Sequence, residues 1–184
     1  IQWDWLKKQV NKEHDILILA SSIQVLATDH RFEKWANFPH ERNSLLDLLY
    51  NLDSDILIIS GDRHRAGFYK KDNIYEFTSS SLNKGIFPYY ETDNLLIGDT
   101  YTQNNYGIVE FHGDSLQLFI KDEDDYNFGI KITPKDKSKT NLSSSVKSPD
   151  LKPVNRNTGG IVNFPTAEVG GDDLSCRMEN LFFC

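Results

Sequence analysis

The chain is poor in cysteine. Its 184 residues hold two, Cys176 and Cys184, both near one end, so no disulfide framework carries the fold. No apolar run approaches the ~18 residues that suggest a membrane span. A basic excess is also absent. Twenty Lys and Arg stand against 27 Asp and Glu, a net charge of −7, which argues against nucleic acid as a partner, because nucleic-acid-binding surfaces show a basic footprint. The acidic run at residues 122–125 lacks the Gly and Glu of an EF-hand loop, so it reads as a solvated turn rather than a calcium site. What is present supports a packed core: 39% of residues are hydrophobic and 12% aromatic. At this length one domain, or a fragment of one, is expected.

The chain is organised around residues 55–64. Ile56, Leu57, Ile58 and Ile59 are an unbroken apolar run, which suits a strand buried on both faces in a layered α/β core. Ser60-Gly61 stops the run, and Gly61 allows a tight turn there. Asp62 and His64 follow two residues apart. In extended geometry they project to the same side. A carboxylate and an imidazole so placed form a metal-ligand pair or an acid/base pair, and strand-end loops are where α/β proteins carry function. Asp-x-His alone fits equally well a capping Asp62 and a satisfied surface histidine.

Around this centre, residues 2–10 read as an amphipathic helix with Trp3, Leu6 and Val10 on one face. Residues 16–20 read as a second buried strand. Residues 28–39 mix aromatic, cationic and amide groups, a composition that suits a substrate-facing loop as well as a surface helix. Pro39 opens the next helix, through residue 50. The order helix, strand, loop, helix, strand predicts parallel strands with helical crossovers. Downstream the chain turns antiparallel, with strands at 74–79, 106–111, 116–121 and 128–133 and a turn at 112–115. Residues 83–106 read as one long loop. Either Tyr89, Tyr90 and Tyr101 border a site there, or the loop is a surface excursion, the reading slightly favoured. Residues 134–158 are polar and read as a linker, followed by a tail of unknown origin at 159–184.

Successive blocks carry a resemblance: Gln2-Trp3-Asp4-Trp5-Leu6, Ser22-Ile23-Gln24-Val25-Leu26, Glu33-Lys34-Trp35-Ala36-Asn37-Phe38-Pro39-His40-Glu41-Arg42, Leu57 to His64, Tyr75 to Leu82, and Asn105 to Phe111. In this order over residues 1–133 they resemble the PhoD-like alkaline phosphatases of the calcineurin-like metallophosphoesterase superfamily. The resemblance implies an α/β fold, half of a four-layer α/β/β/α sandwich, with a mixed sheet and antiparallel carboxy-terminal strands. It implies metal-dependent hydrolysis of phosphate mono- or diesters at a site of two divalent or trivalent metal ions, with calcium, iron, zinc and manganese not distinguished. Asp62 and His64 match the family's Gly-Asp-x-His ligands, as catalytic and metal residues. Gln24, His30, Trp35, Asn37 and Arg63 become candidates to contact the phosphate ester. Arg63 or Arg65 would neutralise phosphate charge, unless each is a surface cation. The family's Asp-rich ligand block normally lies on earlier strands. The expected partner is therefore the missing amino-terminal half or a complementary chain, and an exposed apolar edge is expected where that half is absent. The rival expectation is a catalytically silent, partner-binding module. By analogy with the family the address is extracytoplasmic.

Overall fold

The structure is a computed structural model that describes residues 1–85, 91–124 and 126–134 and the backbone of 181–183. Tyr89, Tyr90, both cysteines, residues 135–158 of the expected linker and most of the tail lie outside the described residues.

The chain opens with helix α1, Gln2–Val10, followed by β1, Ile16–Ser21. A loop with a single 3-10 turn at Trp35–Asn37 leads to helix α2, Pro39–Tyr50, which has Pro39 in its first turn, where its missing N–H loses no helical bond. Strands β2 Asp55–Ser60, β3 Ala66–Lys71, β4 Ile74–Ser79 and β5 Leu96–Tyr101 come next. They form one sheet with β1 in the order β1-β2-β4-β3-β5. β1, β2 and β4 are parallel, whereas β3 pairs antiparallel with both β4 and β5. Strands β6 Tyr106–His112, β7 Ser115–Lys121 and β8 Asn127–Ile132 form a second, antiparallel sheet. A short β9, Leu181–Phe183, pairs with β6 at its edge. The expected turn at 112–115 closes β6 onto β7, with Gly113 at φ 59°, a backbone conformation that hairpin loops require and glycine adopts freely.

Alternation along β2 separates two cores. Ile56 and Ile58 pack with Leu45, Leu46 and Leu49 of α2 and with Val25, Leu26 and Ala27. Leu57 faces the other way, onto Phe68, Phe77, Val109, Leu116 and Leu118. The described residues are thus layered helix, sheet, sheet, which is the α/β architecture expected, as half of a sandwich.

Two sequence expectations are corrected. β1 was expected to be buried on both faces, but it lies at the sheet's edge and most of its residues are only half-buried, with Ala20 exposed. Residues 83–106 are not one loop, because β5 lies within them. β5 contains Asp99 and a Gly98 at φ 72°, so it shows neither a clean alternation nor a run of β-formers.

Candidate functional site at the carboxyl ends of the parallel strands

Three parallel strands end side by side. Ser21 of β1 is in register with Ser60 of β2, and Ser60 with Thr78 of β4. The loops leaving these ends therefore meet at one rim of the sheet, the usual place for a site in an open α/β sheet.

The turn after β2 carries Asp62, Arg63 and His64. Its backbone is not extended as expected: Asp62 has φ 66° and His64 φ 50°. Left-handed backbone is rare for residues with a Cβ, and Asp and His tolerate it better than most. The two flank Arg63, so Asp62 and His64 are exposed while Arg63 is 2% exposed. The turn is pinned to β4 through Ser80. Its Oγ accepts the Arg63 N–H at 2.9 Å and donates to the Arg65 carbonyl at 3.2 Å. His64 Nδ1 lies 3.0 Å from the Lys84 carbonyl. A carbonyl only accepts, so this contact assigns the proton to Nδ1 and leaves Nε2 as an acceptor.

Arg63 and Arg65 are not surface cations. Arg65 is 1% exposed, and both arginines meet Glu91, whose side chain is almost fully buried. Arg63 Nη2 pairs with Glu91 Oε1, and Arg65 Nη1 lies 3.3 Å from the same oxygen. Tyr69 donates its hydroxyl to Glu91 Oε2 at 2.6 Å, and Arg65 Nη1 donates to Thr100 Oγ1 at 3.1 Å. Burial, and then the Glu91 charge, raise the Tyr69 pKa. Arg63 also lies over the Phe32 ring, 5.0 Å from its centroid, a cation–π contact. Sequence reasoning missed Glu91, because an acid between two tyrosines and the polar Thr92-Asp93-Asn94 gives no local sign of burial.

The loop after β1 carries the other candidates. Gln24 is buried and donates to Thr78 Oγ1 at 2.9 Å, and that oxygen shares a hydrogen bond with Ser60 Oγ at 2.8 Å. His30 Nδ1 accepts the Phe32 N–H at 3.2 Å. Burial, and then the Arg63 charge, lower the His30 pKa from 6.5 to about 4. Phe32 thus lies between His30 and Arg63 and joins the two. Trp35 and Asn37 face elsewhere. Trp35 Nε1 donates to Ser21 Oγ at 3.1 Å, and its ring lines an apolar groove of about 500 Å³ with Ala20, Ile23 and Phe38. Asn37 turns back on its own loop, donating to the Phe32 carbonyl at 3.3 Å and accepting from Lys34 Nζ at 3.0 Å.

This loop is held through its backbone by side chains from elsewhere. Glu76, fully buried on β4, accepts the Val25 N–H at 2.8 Å and the Leu26 N–H at 2.6 Å. Burial raises the Glu76 pKa, and the backbone donors hold the rise in check. Asp93 accepts the N–H groups of Thr28 at 2.6 Å and Asp29 at 3.0 Å. Burial pushes its pKa up, but the bonds from Thr28, Leu95 and Asp29 prevail and leave it lowered. Arg42 of α2 donates to the Val25 and Leu26 carbonyls at 2.7 and 2.9 Å. The signal for Glu76 was a lone acid inside the apolar strand pattern Ile74-Tyr75-Glu76-Phe77.

No family model and no curated protein matches the sequence. Among solved structures, the chain is similar to GAP50, the anchor in the inner membrane complex of Plasmodium. That likeness has a TM-score of 0.62 at 16% identity, over 73% of this chain and 42% of that one. A second likeness, to PhoD, has a TM-score of 0.42 at 14% identity, over 73% of this chain and 35% of that one. The chain thus spans less than half the length of the structures it matches, and the first likeness shows a shared fold.

Proposed function

We propose that the chain is the carboxy-terminal half of a PhoD-like metallophosphoesterase domain that hydrolyses phosphate mono- or diesters. The reading is supported chiefly by the turn after β2. Asp62 and His64 are exposed, two residues apart, just after a central parallel strand, and His64 is oriented through Nδ1 so that Nε2 is left as an acceptor. A carboxylate and an imidazole with its second nitrogen bonded to a carbonyl are the donor types that catalytic metal sites use. They fit part of such a site. Among the described residues no group of three or more His, Cys, Asp or Glu could hold a metal ion, and metal sites usually take three or four protein ligands. Asp62 and His64 would hold one side of the metal centre, with the remaining ligands coming from a complementary segment. When bound, the ions polarise the phosphoryl oxygens and provide a hydroxide nucleophile. Arg63, behind the turn and paired with Glu91, would hold Asp62 and His64 in position rather than meet the substrate.

The test is turnover of p-nitrophenyl phosphate and its bis-ester with added zinc, manganese or calcium. The chain alone is expected to bind metal weakly and to turn over negligibly. Supplying the amino-terminal half, fused or as a separate chain, is expected to restore activity. His64→Ala should then lower kcat by roughly 100-fold or more, the scale on which metal-site changes act, with the unfolding midpoint unchanged. Robust turnover by residues 1–133 alone, or full activity of the restored His64→Ala enzyme, would defeat the reading.

A further inference from the structure

His30 carries a hydrogen-bond donor without an acceptor. Its Nδ1 accepts the Phe32 N–H, so in the neutral ring the proton sits on Nε2. The residue is 9% exposed, and Nε2 is buried with no hydrogen-bond partner among the described residues. Flipping the tautomer does not help, because it would orphan the Phe32 N–H instead. A buried donor left unpaired costs about 1–3 kcal/mol, and such groups are rare enough in folded proteins to require a reason. The surroundings suggest one. Lys34 holds the loop in place through the His30 carbonyl and the Asn37 side chain, which keeps the ring where it is. The cations Arg63, stacked on Phe32, and Lys34 bear on the ring against the carboxylates Glu91 and Asp93, and Arg63 acts most strongly of the four, so a negative oxygen is an acceptor tolerated there.

We propose that His30 Nε2–H is the donor of an oxyanion subsite, lying at the rim where the loops after β1 and β2 meet, which takes a phosphoryl oxygen without the help of a metal ion. The choice of phosphate among oxyanions rests on the phosphoesterase reading. The unpaired donor does not. In this arrangement Arg63 biases the subsite toward anions while its own hydrogen bonds stay with Glu91.

The test uses the full 184-residue chain in EDTA, titrated with inorganic phosphate and followed through the imidazole ¹H–¹⁵N signals of His30. A saturable shift of the Nε2–H signal is expected. His30→Phe should weaken phosphate binding roughly tenfold or more, the worth of one hydrogen bond to a charged group. His30→Gln, which keeps an N–H donor, should retain most of it and guards against a merely structural loss. His30 signals that stay still at high phosphate, or equal affinity in His30→Phe, would overturn the proposal. So would a shift that never saturates, the mark of an adventitious ion only. Zinc titration without EDTA, carried to concentrations that reveal weak binding and read at the His64 ring, separates the two readings. If zinc leaves His64 unmoved while phosphate moves His30, the subsite stands and the metal reading falls. If His64 answers zinc and His30 ignores phosphate, the reverse holds.

Discussion

At the scale of single residues, the buried charges decide most. Glu91 meets two interior arginines at once. Removing one partner of a buried ion pair leaves an uncompensated charge, and this typically costs about 3–5 kcal/mol. Glu91→Ala is therefore expected to lower stability by that amount in urea unfolding, and a change under 1 kcal/mol would show that the arginines do not depend on it. His30 gives a pH dependence. Its folded pKa of about 4 lies below the 6.5 of the free side chain. Between these values the unfolded chain binds more protons, so stability rises with pH. The contribution is complete above about 6.5 and is lost as pH falls toward 4. Glu76 acts in the opposite sense: its raised pKa adds stability at acid pH that fades as pH rises through the raised value. Urea midpoints between pH 4.5 and 7 should climb with pH, and His30→Gln should flatten the climb. An unaltered slope in that variant would remove His30 as the cause.

At the scale of elements, the backbone-held loop after β1 is the distinctive feature. Val25 and Leu26 give both their N–H groups and their carbonyls to side chains of β4 and α2. Glu76→Ala strands two buried donors, and at 1–3 kcal/mol each a loss of about 3 kcal/mol is expected. Hydrogen exchange at the Val25 and Leu26 amides should then speed up by about 100-fold, since each factor of ten corresponds to about 1.4 kcal/mol; unchanged exchange would mean that Glu76 does not hold the loop. The regular elements were legible because their periodicity is local: Trp3, Leu6 and Val10 on α1, and Ile56 to Ile59 on β2. β3 was not legible. Its Ala-Gly-Phe-Tyr-Lys-Lys has a glycine in second place and ends on two cations, and its pairing with β5 is irregular between Ala66 and Phe68. The site was legible only in part. Asp62 and His64 announce themselves by residue type, but their left-handed backbone and the interior course of Arg63 and Arg65 depend on Ser80 and Glu91, which lie 15 or more residues away in sequence.

At the scale of the whole molecule, β1 stands out as an edge strand among the described residues. Ile16, Leu17, Ile18 and Leu19 carry no charge and no proline, the usual protections of a free edge. Concentration-dependent association is therefore expected by light scattering, and Ala20→Lys, at an exposed position, should shift the chain toward monomer. A monodisperse monomer at all concentrations before any substitution would count against this. The division into two cores also bears on synthesis. The parallel strands are complete in the chain by residue 79, whereas β6, β7 and β8, which cover them, are complete only at residue 132, about fifty residues later. A ribosome adding ~5–20 residues per second leaves Leu57, Phe68 and Phe77, the sheet's side of the second core, without their cover for several seconds. During that interval the nascent chain presents an apolar plane of the kind chaperones bind, so its yield in the cell depends on how fast translation proceeds between β4 and β8.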